Sequence, residues 1–328
     1  MMKLTNDSPN VVKACNAEGR LDELGSLSER LDKCQKSLTD YLDTKRNAFA
    51  RFYFISDDEL LSVLGSSDPT SIQVHMLKLF DNVKSIGFGR GDKSIISMTS
   101  SEKEGFDCVD PVSVDGAVEV WMTAVESEMK ASLWYITKEA VFNYAKEERT
   151  DWICGKTLGM NTIVGSQIWW TWETEDVFRR VAQGNKYALK DLEHKLTGEL
   201  SDMVVIVRKP LDKITRKKVN TLLVIDVHAR DIISAFVRES ILNAKQFEWE
   251  SQLRFYWDKD EDNCVIHQCT GSFQYGFEYM GLNGRLVITP LTDRCYMTLT
   301  QALTFKMGGS PAGPAGTGKT ETVKVPTQ

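Results

Sequence analysis

Between residues 189 and 207 the apolar side chains Leu189, Leu192, Leu196, Leu200, Met203 and Val207 recur at steps of three and four. That spacing puts all six on one stripe of an α-helix and on both faces of a strand, so only a helix can bury them together. The same period returns in "DGAVEVWMTAVESEMKASL" and, nearer the N-terminus, at Leu27, Leu31, Cys34, Leu38 and Tyr41. The expected fold is therefore mainly α, with these stripes forming helix-on-helix core. "SDDELLSVLG" reads as a short helix capped by Ser56 or Asp57, and a second helix starts behind Pro69. From Ile86 to Val114, glycine turns alternate with short β-branched runs, which predicts one small hairpin among the helices.

Other stretches have two readings. In "QIWWTWETEDVF", Gln167 to Phe178, the tryptophans carry so much apolar area that an anchor between helices is favoured over an exposed interaction face. The basic run "RKPLDKITRKK", Arg208 to Lys218, lacks the interleaved aromatics that stack on bases, so it reads as a solvated interhelical turn broken at Pro210. Cys264 and Cys269 flank His267, but no second ligand pair follows at zinc spacing, which leaves them as plain thiols. The formal net charge of -6 argues against a protein built mainly on nucleic-acid contacts. No apolar run approaches the roughly 20 residues of a spanning helix. The N-terminus has no apolar signal core, so the seven cysteines are expected as thiols in a reducing compartment.

The texture changes after Gly271. The β-branched run Leu286 to Thr289, a proline and a helix from Thr292 to Phe305 lead into "GPAGTGKT", Gly313 to Thr320. Average residue usage yields Gly-x-x-x-x-Gly-Lys-Thr in roughly one chain in a hundred of this length, so the match is specific. Gly313, Gly316 and Gly318, with Pro314, Ala315 and Thr317 between them, let backbone N–H groups converge on phosphate oxygens. Lys319 reaches the β- and γ-phosphates, and the Thr320 hydroxyl ligates the magnesium ion that bridges them. The expected cofactors are ATP and Mg2+. Eight residues follow the loop in this sequence, and Pro326 opposes a continuing helix. Hydrolysis also needs a second hold on the metal, a positioned water and a compensating cation, so these residues alone are expected neither to turn over ATP nor to enclose it tightly. The stretch from about Tyr275 onward is expected to be the least firmly packed.

Several long segments carry a resemblance. "YGFEYMGLNGRLVITPLTDRCYMTLTQAL" followed by "GPAGTGKTETVK" is similar to the start of the first AAA+ module of dynein heavy chains. "DYLDTKRNAFARFYFISDDELL", "GSQIWWTWETEDVF", "VIDVHARDI" and "WESQLRFYW" resemble the dynein linker, with wording closest to an axonemal outer-arm chain. The resemblance implies an elongated helical-bundle linker arm with a small β element over residues 1–272. Over 273–328 it implies the truncated start of an α/β P-loop module ending just after the Walker A loop. It implies that Gly313 to Thr320 match the principal ATP site, that Leu286, Val287 and Ile288 pass near the adenine, and that Walker B, sensors and arginine finger lie elsewhere. Implied partners are the remainder of the ring, intermediate and light chains and the microtubule, without nucleic acid or membrane. The implied location is the cytoplasm and cytoskeleton, in the axoneme of a cilium or flagellum. The alternatives are a helical interaction protein with a vestigial loop and, further off, a self-sufficient small ATPase.

Overall fold

The computed structural model describes residues 2–7, 9–282 and 287–324. Short helices α1 (Met2–Asp7) and α2 (Val11–Cys15) precede the 29-residue α3 (Arg20–Ala48). After a 3-10 turn, α4 (Asp57–Gly65) opens on a reciprocal capping box between Ser56 and Glu59. The helix expected behind Pro69 is mostly 3-10, and only α5 (Met76–Leu79) is α-helical. Strands β1 (Val83–Phe88), β2 (Ser94–Ser100) and β3 (Gly105–Ser113) form an antiparallel sheet in that order, one strand more than the expected hairpin.

Helix α6 (Val118–Tyr144) covers this sheet with Met122, Val125, Met129 and Leu133, each fully buried at steps of three and four. Ser132 Oγ accepts the Val109 N–H at 3.0 Å and so pins β3 to the helix. Helices α7 (Arg149–Cys154), α8 (Gly159–Ala182), α9 (Ala188–Val207) and α10 (Lys213–Glu239) follow. On α9 the stripe Leu189, Leu192, Leu196, Leu200 and Met203 is buried as expected, with α10 packed along it. Within the aromatic run, Trp170 and Phe178 join the core beside Trp249 of the short α11 (Phe247–Glu250), while Trp172 faces outward.

Two expectations fail. The stripe Leu27, Leu31, Cys34, Leu38 and Tyr41 on α3 is exposed, and only Leu42, one position off it, is buried. Periodicity records a preference for burial but cannot supply the partner, and here only the C-terminal end of α3 meets the rest of the molecule. The second failure lies within the region read as helical. Strands β4 (Arg254–Asp258), β5 (Asn263–Gln268) and β6 (Gly271–Gln274) form another antiparallel sheet. Every residue of β4 is half-buried, so the inside-outside alternation that marks a strand never develops. This sheet is fastened to α8 by Tyr256 OH on Glu175 Oε1 at 2.6 Å, and to α6 by the Trp134 indole on the Asp262 carbonyl at 2.8 Å. Cys264 is buried in β5, and His267 stacks edge-on against Tyr256.

The start of the stretch expected to be loosely packed is instead buried. Phe277, Tyr279 and Leu282 enter the same cores as the helices before them. Arg51 binds Glu278 at 2.7 Å and Glu126 at 3.1 Å while lying over the Phe80 ring. Burial works against its charged guanidinium, but the two carboxylates more than offset this and raise its pKa. Asn82 Nδ2 donates to the Met280 carbonyl at 3.2 Å beneath Gly281, where an added Cβ would lie 1.9 Å from that nitrogen and the φ is +62°. Leu282 fits over Gly159, at the first turn of α8, because no Cβ stands there.

Gly159→Ala would put a Cβ 2.3 Å from the Leu282 side chain. The expected loss is about 1–3 kcal/mol of overpacking strain, partly recovered in Gly159→Ala/Leu282→Ala. Urea denaturation of the four variants checks it, and an additive cycle would refute the contact. The hydrogen bond from Arg51 holds the Glu126 carboxyl below its ordinary 4.5. A depressed acid pKa stabilises the fold above the unfolded value and is lost as pH falls through the folded value. The stability gap between wild type and Glu126→Gln should therefore be full at pH 6 and close below pH 4.5.

Candidate functional site

The glycine-rich loop is positioned by α12 (Pro290–Thr304). Pro290 opens this helix at N1, two residues ahead of the expected start at Thr292, where its missing N–H is harmless, and Thr289 and Thr292 form the capping box. Of the strand expected at Leu286 to Thr289, Leu286 lies outside the described residues, Val287 and Ile288 are irregular, and Thr289 is the N-cap. Val287 is exposed and Ile288 half-buried.

Helix α12 docks on the second sheet through one buried amide. Gln268, 1% exposed at the end of β5, accepts from Thr300 Oγ1 at 2.7 Å and donates to the Ser251 carbonyl at 2.8 Å. Its own carbonyl accepts from Gln301 Nε2 at 2.9 Å, and Gln301 Oε1 accepts from Thr270. At the other end of α12, Asp293 faces His228 of α10. Burial raises the Asp293 carboxyl and lowers the His228 imidazole, and each opposes that effect on the other. Gln268 was not legible as a docking point, because a polar residue ending a strand ordinarily faces water.

The helix ends in a Schellman turn. The Met307 N–H reaches the Ala302 carbonyl at 2.8 Å and the Lys306 N–H that of Leu303 at 3.0 Å, with Lys306 at φ +59°. From there Gly308 to Gly318 run exposed and irregular to α13 (Lys319–Lys324). Gly316 and Gly318 hold φ of +79° and +76°, a region a side chain would disfavour. No atom lies within 4 Å of a Cβ built at either, so glycine is required there by backbone conformation and not by crowding.

The loop closes on itself. Lys319 Nζ donates to the carbonyls of Gly313 at 2.9 Å and Pro314 at 2.5 Å, and Thr317 Oγ1 donates to Pro314 at 2.9 Å. The ammonium thus sits over the ring formed by residues 313–319, held by neutral carbonyls that a phosphate, with full negative charge, would outcompete. Thr320 is exposed in the first turn of α13, one residue along. A flexible cation, left-handed glycines and a free hydroxyl at the helix start are the donor set a polyphosphate with its divalent ion requires. Gly313 to Thr320 form one exposed stretch that runs into the first turn of α13, whereas Val287 and Ile288 lie ahead of α12.

Two family models match. Residues 1–140 fit "Dynein heavy chain, N-terminal region 2", and residues 275–327 fit "Hydrolytic ATP binding site of dynein motor region". The second match supports nucleotide binding by this part of the chain. The chain is 66% identical over 325 residues to the Dynein-1-alpha heavy chain, flagellar inner arm I1 complex, of Chlamydomonas reinhardtii, covering 98% of this chain and 7% of the relative. It is 55% identical over 328 residues to Dynein axonemal heavy chain 10 of Homo sapiens, covering 99% and 7%. Against Dynein axonemal heavy chain 1 of Mus musculus the identity is 43% over 325 residues, covering 99% and 7%. The chain therefore spans about 7% of the length of the curated relatives it matches. The relative at 66% carries an inner-arm name, in contrast to the outer-arm wording suggested by the sequence.

Gln268→Leu removes the amide while keeping its bulk and leaves the Ser251 carbonyl and the Thr300 hydroxyl without this partner. The expected cost is about 1–3 kcal/mol. Amide exchange in Pro290–Thr304 should quicken more than in α6. Unchanged protection of α12 would remove Gln268 from this role.

Proposed function

We propose, from the premise that this chain belongs to the dynein heavy chain family, that it is the force-transmitting linker of a microtubule motor joined to the phosphate-binding loop of the motor's principal ATP site. The observation that carries the proposal is the continuity of the two parts. The start of the stretch matching the ATP-site family, Phe277 and Tyr279, is buried in the core of the body matching the N-terminal region, and α12, from the same stretch, is docked on the second sheet through Gln268.

By this reading the division falls at about residue 272, while the packed body extends to Leu282. Lys319 holds the β- and γ-phosphates of ATP, Thr320 ligates the magnesium ion, and Gly313 to Gly318 enclose the phosphates with backbone N–H groups. Val287 and Ile288 pass near the adenine. The nucleotide supplies the phosphoryl transfer that powers movement. What these residues contribute is binding and the mechanical path away from the site. Turnover also requires a second metal-holding carboxylate, a positioned water and a compensating cation, which the family carries downstream of the loop. The remaining ring, intermediate and light chains and the microtubule are the proposed partners. The proposed location is the axoneme of a cilium or flagellum, with the inner arm favoured by the name of the relative at 66% identity.

Exchange tests the proposal directly. These 328 residues, replacing the matching stretch of the Chlamydomonas reinhardtii inner-arm chain, should support ATP-dependent microtubule gliding, and the same exchange with Lys319→Ala should not. The separate 328-residue chain should release no phosphate above background and bind ATP with magnesium weakly by calorimetry. Gliding that survives Lys319→Ala, or tight binding by the separate chain, would contradict the reading.

A further inference from the structure

The turn between α9 and α10 gathers cations around two helix ends, and at the second of them helix electrostatics resist positive charge. Lys213, Arg216 and Lys217 occupy the start of the 27-residue α10, whose first turn contains no acidic residue beyond the Asp212 cap. The N-terminus of a helix carries partial positive charge, so cations there cost stability. Lys217 is neutralised by Glu102 at 2.9 Å, and Arg216 is spent on the Val207 and Lys209 carbonyls, which end α9. Arg208, Lys209 and Lys213 are exposed and have no ion pair among the described residues, in a chain whose net charge is -6.

Arg208 lines an apolar groove between the two helices together with Val204, Val207, Asn220 and Leu223, and Lys209 and Lys213 follow it in the turn. Val204 is 41% exposed, and the neighbouring Val205 is 54% exposed. The C-terminus of α9 favours Arg208 and Lys209, but the N-terminus of α10 disfavours Lys213, and nothing in the fold covers Val204 and Val205. One partner chemistry satisfies both, with apolar side chains for the groove and carboxylates for its rim.

We propose that this face docks an acidic amphipathic helix, with leucine-like side chains in the Val204–Leu223 groove and carboxylates against Arg208, Lys209 and Lys213. A polypeptide is favoured over nucleic acid because no aromatic side chain lines the groove to stack on a base and because the groove lining is apolar. The proposal is independent of the nucleotide site.

The probe is a fluorescein-labelled 18-residue peptide of leucines at helical spacing among glutamates, titrated into the full 328-residue chain and followed by anisotropy. Saturable binding should weaken about tenfold between 50 and 300 mM salt, because rim charges are screened. It should be lost in Arg208→Glu/Lys209→Glu/Lys213→Glu and weakened in Val204→Ser, with circular dichroism confirming that both variants remain folded. Three results would each overturn the inference: no binding by the folded wild type, equal binding of polyglutamate of the same length, or tighter binding of single-stranded oligothymidylate.

Discussion

A buried carboxylate sets the geometry on which the rest depends. Glu104, 8% exposed at the turn between β2 and β3, accepts the N–H of Gly159 at 2.8 Å and the hydroxyl of Tyr279 at 3.2 Å. An ionised group taken out of water must be matched by donors, and these come from the first turn of the 24-residue α8 and from the segment leading to the nucleotide loop. The helix N-terminus adds a favourable field for the charge. Lys218 lies close enough to interact with it while donating to the Gly155 and Thr157 carbonyls, and burial lowers the pKa of that ammonium. The first sheet, α8, α10 and residues 276–282 thus meet at one electrostatic node. Burial and this carboxylate together raise the Tyr279 phenol, which keeps it a hydrogen-bond donor.

From that node the path to the phosphate loop has two parts of different character. Residues 277–282 are fixed by shape, with Leu282 over Gly159 and Gly281 against Asn82, and by the Arg51 bridge. Helix α12 is fixed by hydrogen bonds centred on Gln268, with most of its residues half-buried and Leu291 and Leu303 in water. The loop beyond it makes its bonds mostly within itself. Firmness therefore falls along the chain from the helical body to the loop. A displacement of α12 would reach that body through the Gln268 contacts, and these are directional bonds that break over short displacements.

Much of this could be read from local sequence because it depends on local physics. The α9 stripe was legible since a helix and a long buried face leave one solution, and the turn at Pro210 was legible from its breaker. The backbone turns at Gly316 and Gly318 were legible because a positive φ is a local property that glycine permits. The second sheet was not, since β4 is half-covered on both faces and its sequence "RFYWD" lacks alternation.

What the sequence determined by itself is the set of helices, their apolar stripes and the chemistry of the phosphate loop, all fixed by periods and spacings shorter than a few turns. What only the tertiary structure decided is which stripes find partners and which polar groups become buried. Leu31 and Leu196 belong to the same kind of pattern, yet one is 68% exposed and the other 7%. Glu104, Gln268 and Gly159 look unremarkable in the chain and become fixed points because Tyr279, Thr300 and Leu282, each more than 30 positions away, are brought against them. Burial is a property of the assembled packing, and the cost of an unmatched buried group is felt only once that packing exists.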